Sequence, residues 1–332
     1  MIEIDGRMGE GGGQVLRTSL TLSSLLMLPV HIHDIRAGRE RPGLMPQHFT
    51  VVKALSEITN AEVEGLVVGS RELFFRPKER KSGNFLFDIK TAGSASLVLQ
   101  AVIPVLLFSE KQSSVEVVGG THVMKSPNYD FFSNVFLLSI GKMECNVKSE
   151  LRKAGFYPKG GGDVLVEISP VDEVKPISVT GKKEEKINAV IRSSNLPPHI
   201  GEREERVIKE RFPDSAVQVI NEKGACPGNS VTIYSGFLSC SSLGEVGKPA
   251  EEVAREACEG FKNEFDSGFP VGRRLADQLL PYMAIADGRS EILTTEITLH
   301  TKTNMSVIEH FIKNRFLTKG NSISIAGIGM KK

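Results

Sequence analysis

The chain of 332 residues contains no tryptophan and only four tyrosines, so it lacks the aromatic platforms on which a long single strand of nucleic acid would stack. Its formal net charge is +1, which argues against coating nucleic acid nonspecifically; any such contact is expected to be local, as at one end of a strand. The four cysteines, Cys145, Cys226, Cys240 and Cys258, form no Cys-x-x-Cys pair. That spacing speaks against both a disulfide framework and a structural zinc site. The longest apolar runs, LVLQAVIPVLLF among them, are too short to cross a bilayer, and the opening MIEIDGR has no basic stretch leading into an apolar one. A cytoplasmic protein with no membrane partner is expected. Also missing are the Gly-x-x-x-x-Gly-Lys-Ser/Thr phosphate loop, the Lys-x-Asp-Gly motif of lysine adenylation and a paired-histidine metal motif.

What is present is repetition. Apolar residues make up 40% of the chain, ample for a core, and they fall into three segments with one order. The first runs from the strand MIEID through a glycine loop to the helix QVLRTSLTLSSLL, the strand VHIHDI, a polar loop and the helix HFTVVKALSEIT, closed by strands AEVEGLVV and ELFFRP. The second runs from NFLFDI through TAGSAS to LVLQAVIPVLLF, SVEVV, the loop GGTHVMKSP, the helix NYDFFSNVFLLSI and a strand MECNVKS. The third is expected to begin at DVLVEIS and to resume at FPVGRRLADQLLPYMAIA, followed by the strand TEITL, the loop HTKTN, the helix MSVIEHFIK and NSISIAGI. Phe-x-Pro-Lys precedes an alternating strand in both FRPKERKSGNFLFDI and FYPKGGGDVLVEI, which supports pairing them. Helices that must bury a face against sheets imply an α/β (α+β) fold of three units around a shared core. The interruption of the third unit has its own βαββα pattern, so the expected domains are a repeated body, 1–183 and 270–332, and a small inserted α/β domain, 184–269.

The loop GEGGGQVLR places glycines and Glu10 directly before a helix. Backbone amides at a helix amino end suit a phosphate. Glu10 either caps the helix or brings a metal ion to a phosphate-bearing ligand. Repeat equivalence puts Arg36, His122 and His300 at the ends of corresponding strands, where a rigid scaffold presents loop residues. His31, His33, His48, His199 and His310 default to structural or surface roles, whereas His300 stands between an alternating strand and a polar loop. A neutral imidazole, with a reference pKa near about 6.5, is a nucleophile at neutral pH. Arg36, Arg39 and Arg41 form a basic loop that either grips phosphate oxygens or is a solvated turn. Arg17 falls one turn into the first helix. Gln100 is the lone polar residue of SLVLQAVIPVLLF and needs a partner if buried. Asp277 and Gln278 interrupt RRLADQLLPYM, after Arg273 and Arg274 near its positive end, and either recognise a nucleotide or solvate the helix.

Together GEGGGQVLRTSLTLS, IRAGRERPGLMPQH, FYPKGGGDV, RRLADQLLP and LHTKTN resemble the RNA 3'-terminal phosphate cyclase family, in order and over essentially the whole chain. The resemblance implies repeats like the C-terminal domain of translation initiation factor 3 and a thioredoxin-like insert. It implies a ligase that uses ATP and a divalent metal, magnesium or manganese, on RNA with a 3'-terminal phosphate. His300 would carry a covalent adenylate, passed to the RNA end before the neighbouring 2'-hydroxyl closes a 2',3'-cyclic phosphate. Gln100 and the run Arg274, Leu275, Ala276, Asp277 and Gln278 would contact ATP. Arg17, Arg36, Arg39 and Gln47 would line the phosphate or RNA-end site, Asp277 would orient either His300 or the nucleotide, and Glu10 would approach the metal. Two rivals share parts of this pattern. A noncatalytic cyclase-like ribosome-assembly protein would not need His300, and an enolpyruvyl-type transferase would not account for LHTKTN or the insert.

Overall fold

In the computed structural model, which describes residues 1–332, the first unit consists of β1 (Ile2–Asp5), α1 (Gly13–Leu26), β2 (Val30–His33), α2 (Pro46–Thr59), β3 (Glu62–Glu64) and β4 (Leu73–Arg76). Its sheet has the order β1-β2-β4-β3, with β1 and β2 parallel and the other pairs antiparallel. The second unit repeats the plan: β5 (Asn84–Asp88), α3 (Ala95–Leu106), β6 (Ser113–Gly119), α4, β7 (Val147–Lys153) and β8 (Gly162–Ile168). Helix α4 is built from Tyr129–Phe131, a π-helical turn Phe132–Phe136, and Leu137–Gly141. The sheet order is again β5-β6-β8-β7. The third unit opens with β9 (Ser178–Val179), and the chain then leaves it for β10 (Asn188–Ser194), α5 (His199–Arg211), β11 (Ala216–Glu222), β12 (Gly228–Ser235), β13 (Leu238–Leu243) and α6 (Ala250–Asp266). It returns with α7 (Arg273–Ile285), β14 (Arg289–Leu293), α8 (Leu299–Ile308), β15 (Leu317–Lys319) and β16 (Ser322–Ala326), in a sheet ordered β9-β14-β16-β15.

Strands β6 and β8 bury every second residue, the signature of a sheet covered on one face. The covering helices pack on one another as well: α1 lies against α3 and α8, and α7 against α8. Hence α3 buries every residue except Gln100, and one continuous apolar cluster unites the three units, with Leu20, Leu55, Val102 and Leu279 fully enclosed. The interrupting elements form a separate sheet, β11-β10-β12-β13, over their own smaller core of Ile191, Ile208, Val231 and Phe261. No helix is long and apolar enough to cross a membrane.

Two expectations are corrected. DVLVEI is β8, which pairs with β6 and β7 and closes the second sheet; the third unit begins instead at β9. A two-residue strand has no period to read, and β8 alternates as a first strand would. The shared Phe-x-Pro-Lys is therefore not positional: one copy precedes β5 and the other lies in the turn between β7 and β8. The second correction concerns TEITL and HTKTN. The strand ends at Leu293, and Thr298 accepts a hydrogen bond from the Thr301 amide at 3.1 Å to start α8 at Leu299. Threonines, disfavoured inside helices, favour this capping role.

A buried ion pair ties β10 to the second unit. Arg192 donates to both oxygens of Asp130 on α4, at 2.9 and 3.3 Å, and through Nη1 to Glu222 at 2.9 Å. His122 Nε2 donates to Asp130 at 3.0 Å. Burial pushes the Asp130 carboxyl up, but His122 and Arg192 outweigh it and hold it at about 2. His122 is thus a structural partner inside the fold and not a cleft residue. Arg192→Ala is expected to lower unfolding stability by about 3–5 kcal/mol, the scale for removing one member of a buried pair, as read from urea midpoints.

Candidate active site

The elements converge on one cleft of about 1210 Å³, lined by the loop before α1, the segment from Arg36 to His48, faces of α3, α7 and α8, the loop after β6, and β13. All three units and the interrupting sheet therefore contribute a wall.

His300 sits in the first turn of α8. Its Nδ1–H donates to Asp277 Oδ2 at 2.6 Å. Asp277, on α7, is 7% exposed, and its Oδ2 also accepts from Gln14 Nε2 of α1 at 3.0 Å. Asn304, one turn after His300, donates to the Asp277 carbonyl at 2.7 Å and accepts from Thr18 at 2.7 Å. Three helices thereby fix one carboxylate. The consequence is chemical: with its proton held on Nδ1, the imidazole keeps its Nε2 lone pair free. The His300 side chain is 41% exposed, open to a ligand in the cleft.

A second part of the cleft is built for anions. Arg17, half-buried on α1, makes no ion pair and donates to no protein group, and burial pulls its guanidinium down to about 10 despite the nearby Asp277. Arg274, at the amino end of α7, is exposed to the cleft and also unpaired. Arg36 has a positive φ of 55° and is pinned by bonds to the carbonyls of Arg41 and Gly43 at 2.6 and 2.9 Å. Burial, then Arg39, lowers its pKa. Arg39 donates to Glu10 at 3.2 Å. Gln47 accepts the Ser94 amide at 3.1 Å through its side-chain oxygen, leaving its NH2 group to donate elsewhere. The glycines permit this crowding. A Cβ on Gly13 would stand 2.2 Å from His48 Nε2, and one on Gly9, at φ +57°, would stand 1.8 Å from Thr303 Oγ1.

His48 is 4% exposed and lines the same wall. Its Nδ1 accepts from the Met45 amide at 3.3 Å, so Nε2 carries the hydrogen beside Arg17. Burial first, then Arg17 and Arg36, push its pKa down to about 3. An unfolded His48 would protonate near 6.5, so the stability due to neutral His48 is complete above that pH and is lost as pH falls toward 3. From pH 7 to 5 this group should account for a loss on the order of 2 kcal/mol. Urea midpoints at the two pH values should therefore converge in His48→Gln.

Of the sequence-predicted residues, Glu10, Arg17, Arg36, Arg39, Gln47, Gln100, Arg274, Asp277, Gln278 and His300 all line the cleft. Gln100 finds its partner in Gln278, 2.5 Å away. Leu275 and Ala276 are instead enclosed in the core, because helical spacing turns them away from the face that carries Arg274, Asp277 and Gln278. Sequence reasoning missed Gln14, Thr18, His48 and Asn304. Asn304 was within reach, lying four residues after His300. The deep end of the cleft, with Phe131, Phe136, Pro281 and the buried, unpartnered hydroxyl of Tyr282, carried no local signal.

Comparison with known proteins decides the family. The profile described as RNA 3'-terminal phosphate cyclase matches residues 8–318. The chain belongs to the RNA 3'-terminal phosphate cyclase family. Relatives of that name from Archaeoglobus fulgidus and Staphylothermus marinus are each 41% identical to it, covering 98% and 99% of this chain and 100% and 99% of their own lengths. A third, from Pyrobaculum aerophilum, is 40% identical over 100% of this chain and 99% of its own. This cyclase is accordingly an enzyme matched from end to end.

Proposed function

We propose that the protein uses ATP to convert an RNA 3'-terminal phosphate to a 2',3'-cyclic phosphate, with adenylate carried first on His300 and then on the RNA end. The observation that carries this reading is the His300–Asp277 pair opening into a cleft in which Arg17 and Arg274 have no ion-pair partner. His300 Nε2 attacks the α-phosphorus of ATP, and pyrophosphate leaves. An oxygen of the RNA 3'-phosphate then attacks that phosphorus, breaking its bond to Nε2. The 2'-hydroxyl, held beside the activated phosphate, attacks last and expels AMP. Arg17, His48 and Gln47 are suited to hold the terminal phosphate. The adenine is assigned to the deep apolar end beside Phe131 and Pro281, where the Gln100–Gln278 pair offers polar contacts.

A carboxylate joined by phosphate oxygens is the donor set of a magnesium-type ion, so Glu10 fits as the protein's ligand. Such a metal would offset charge on the triphosphate as pyrophosphate departs. We take residues 1–183 and 270–332 as the catalytic body and 184–269 as an inserted domain that lends β13 to the wall. The cytoplasm is the setting we assign, consistent with four free cysteines.

The test is a 3'-phosphorylated RNA incubated with ATP and magnesium. A phosphatase-resistant end, with one AMP released per end, is expected. A terminal phosphate that stays removable by phosphatase would refute the reading.

A further inference from the structure

Two loops of the second unit that the sequence sets apart, GGTHVMKSP and FYPKGGG, take no part in the chemistry above. They meet beside Gln47 around a side cavity of about 330 Å³ that continues the main cleft, sharing Gln47, Leu97 and the segment Val123 to Ser126 with it and adding Ala92 and Tyr157. Its rim carries two large side chains left to solvent, Met124 at 58% and Tyr157 at 72% exposure. Lys125, between the two spaces, is exposed and has no ion pair.

These side chains project from a fixed support. Phe156 is buried and stacks on the His122 ring, with centroids 5.1 Å apart. The Gly160 amide donates back to the Phe156 carbonyl at 2.7 Å. At Gly160, φ +64°, a Cβ would meet Ala92 Cα at 2.8 Å. The glycine thus lets the turn close onto the TAGS loop and sets Tyr157 over the cavity.

We infer that this side cavity seats the 3'-terminal nucleobase of the RNA, stacked on Tyr157 and Met124, with Lys125 at the phosphodiester on its 5' side. The inference rests on the reading above, which puts the terminal phosphate at Arg17 and Gln47. A ribose joined to that phosphate carries its base about one nucleoside's length away, and the cavity opens at Gln47. Its volume is at the lower end of the roughly 300–1,000 Å³ range of small-molecule sites. Apolar walls and an aromatic face suit stacking, which every base can satisfy. Of the polar side chains at the cavity, Gln47 and Lys125 are assigned to phosphates and Ser126 Oγ donates to the Val123 carbonyl at 3.0 Å, so the four terminal bases should be accepted about equally.

The test uses the full-length protein and an RNA ending in 2-aminopurine with a 3'-phosphate, whose fluorescence reports stacking. Wild type and Tyr157→Phe are expected to quench it. Tyr157→Ala should lose the quench and bind about tenfold more weakly, toward the low end of stacking on a side chain. In the cyclisation assay the same variant should raise the RNA KM about tenfold with kcat and labelling by ATP alone unchanged. That penalty should vanish for an RNA ending in an abasic 3'-phosphate. Unaltered RNA binding by Tyr157→Ala, an equal penalty on the abasic end, or a raised KM for ATP instead would overturn the proposal. Quenching without cyclisation would count against the proposed reaction and for the base site.

Discussion

His300→Ala is expected to retain no label from α-labelled ATP after denaturation and to form no cyclic phosphate, while remaining folded and able to bind ATP. The side chain is 41% exposed, so its removal leaves no core cavity. Asp277 keeps Gln14 as a partner, and a stability loss of about 1–2 kcal/mol is anticipated for the hydrogen bond removed. Wild type should hold the label through an acid-labile, base-stable bond, as a phosphorus–nitrogen linkage requires. Asp277→Asn is the more discriminating change. An amide would no longer require the proton on His300 Nδ1, and the ring is free to present Nε2–H to the nucleotide. A fall of roughly 10³–10⁴-fold in adenylation is expected, the scale seen when a carboxylate orienting a catalytic imidazole becomes an amide. Label retained by His300→Ala at the wild-type level would exclude this imidazole as the nucleophile.

The same pair shows how far the chain could be read before its fold was known. The repeated units and the three-unit sheet plan were legible wherever helices of 3.6 period and strands of period two ran long enough, as in α1, α3 and β6. They were not legible at β9, where two residues carry the first strand of a unit, nor at β8, whose alternation serves equally for a first or a last strand. His300 was identifiable, with Asp277 as one of its expected partners, but its place at the start of a helix was not. A threonine-rich run reads as a loop, and the cap at Thr298 converts it to the first turn of a helix. That conversion matters, because it brings Asn304 onto the His300 face and lets both reach Asp277. His48 was set aside as structural because a single buried histidine usually is. Only the approach of Gly13 and Arg17 reveals its place in the cleft wall. Leu275 and Ala276 came with their motif neighbours, although helical periodicity turns them into the core.

Arg17 leads to an expectation of opposite sign for stability and activity. Its half-buried guanidinium has lost water and found no carboxylate, carbonyl or other acceptor in the protein, and burial has lowered its pKa to about 10. A desolvated charge without a partner is a cost to the fold. It persists where a ligand supplies the missing anion. Arg17→Met keeps most of the side-chain volume and removes the charge, so it should raise stability by about 1–2 kcal/mol and lower cyclisation about 10²–10³-fold. Pyrophosphate should separate the two effects. At a hundred times its Kd an anion adds about 2.7 kcal/mol to the form that binds it, so the melting temperature of wild type should climb with pyrophosphate more than that of Arg17→Met. The two curves should therefore cross, the variant melting higher without the anion and lower with it. A variant less stable than wild type in the absence of anion would mean that Arg17 is held by the fold for packing, not kept in reserve for a phosphate.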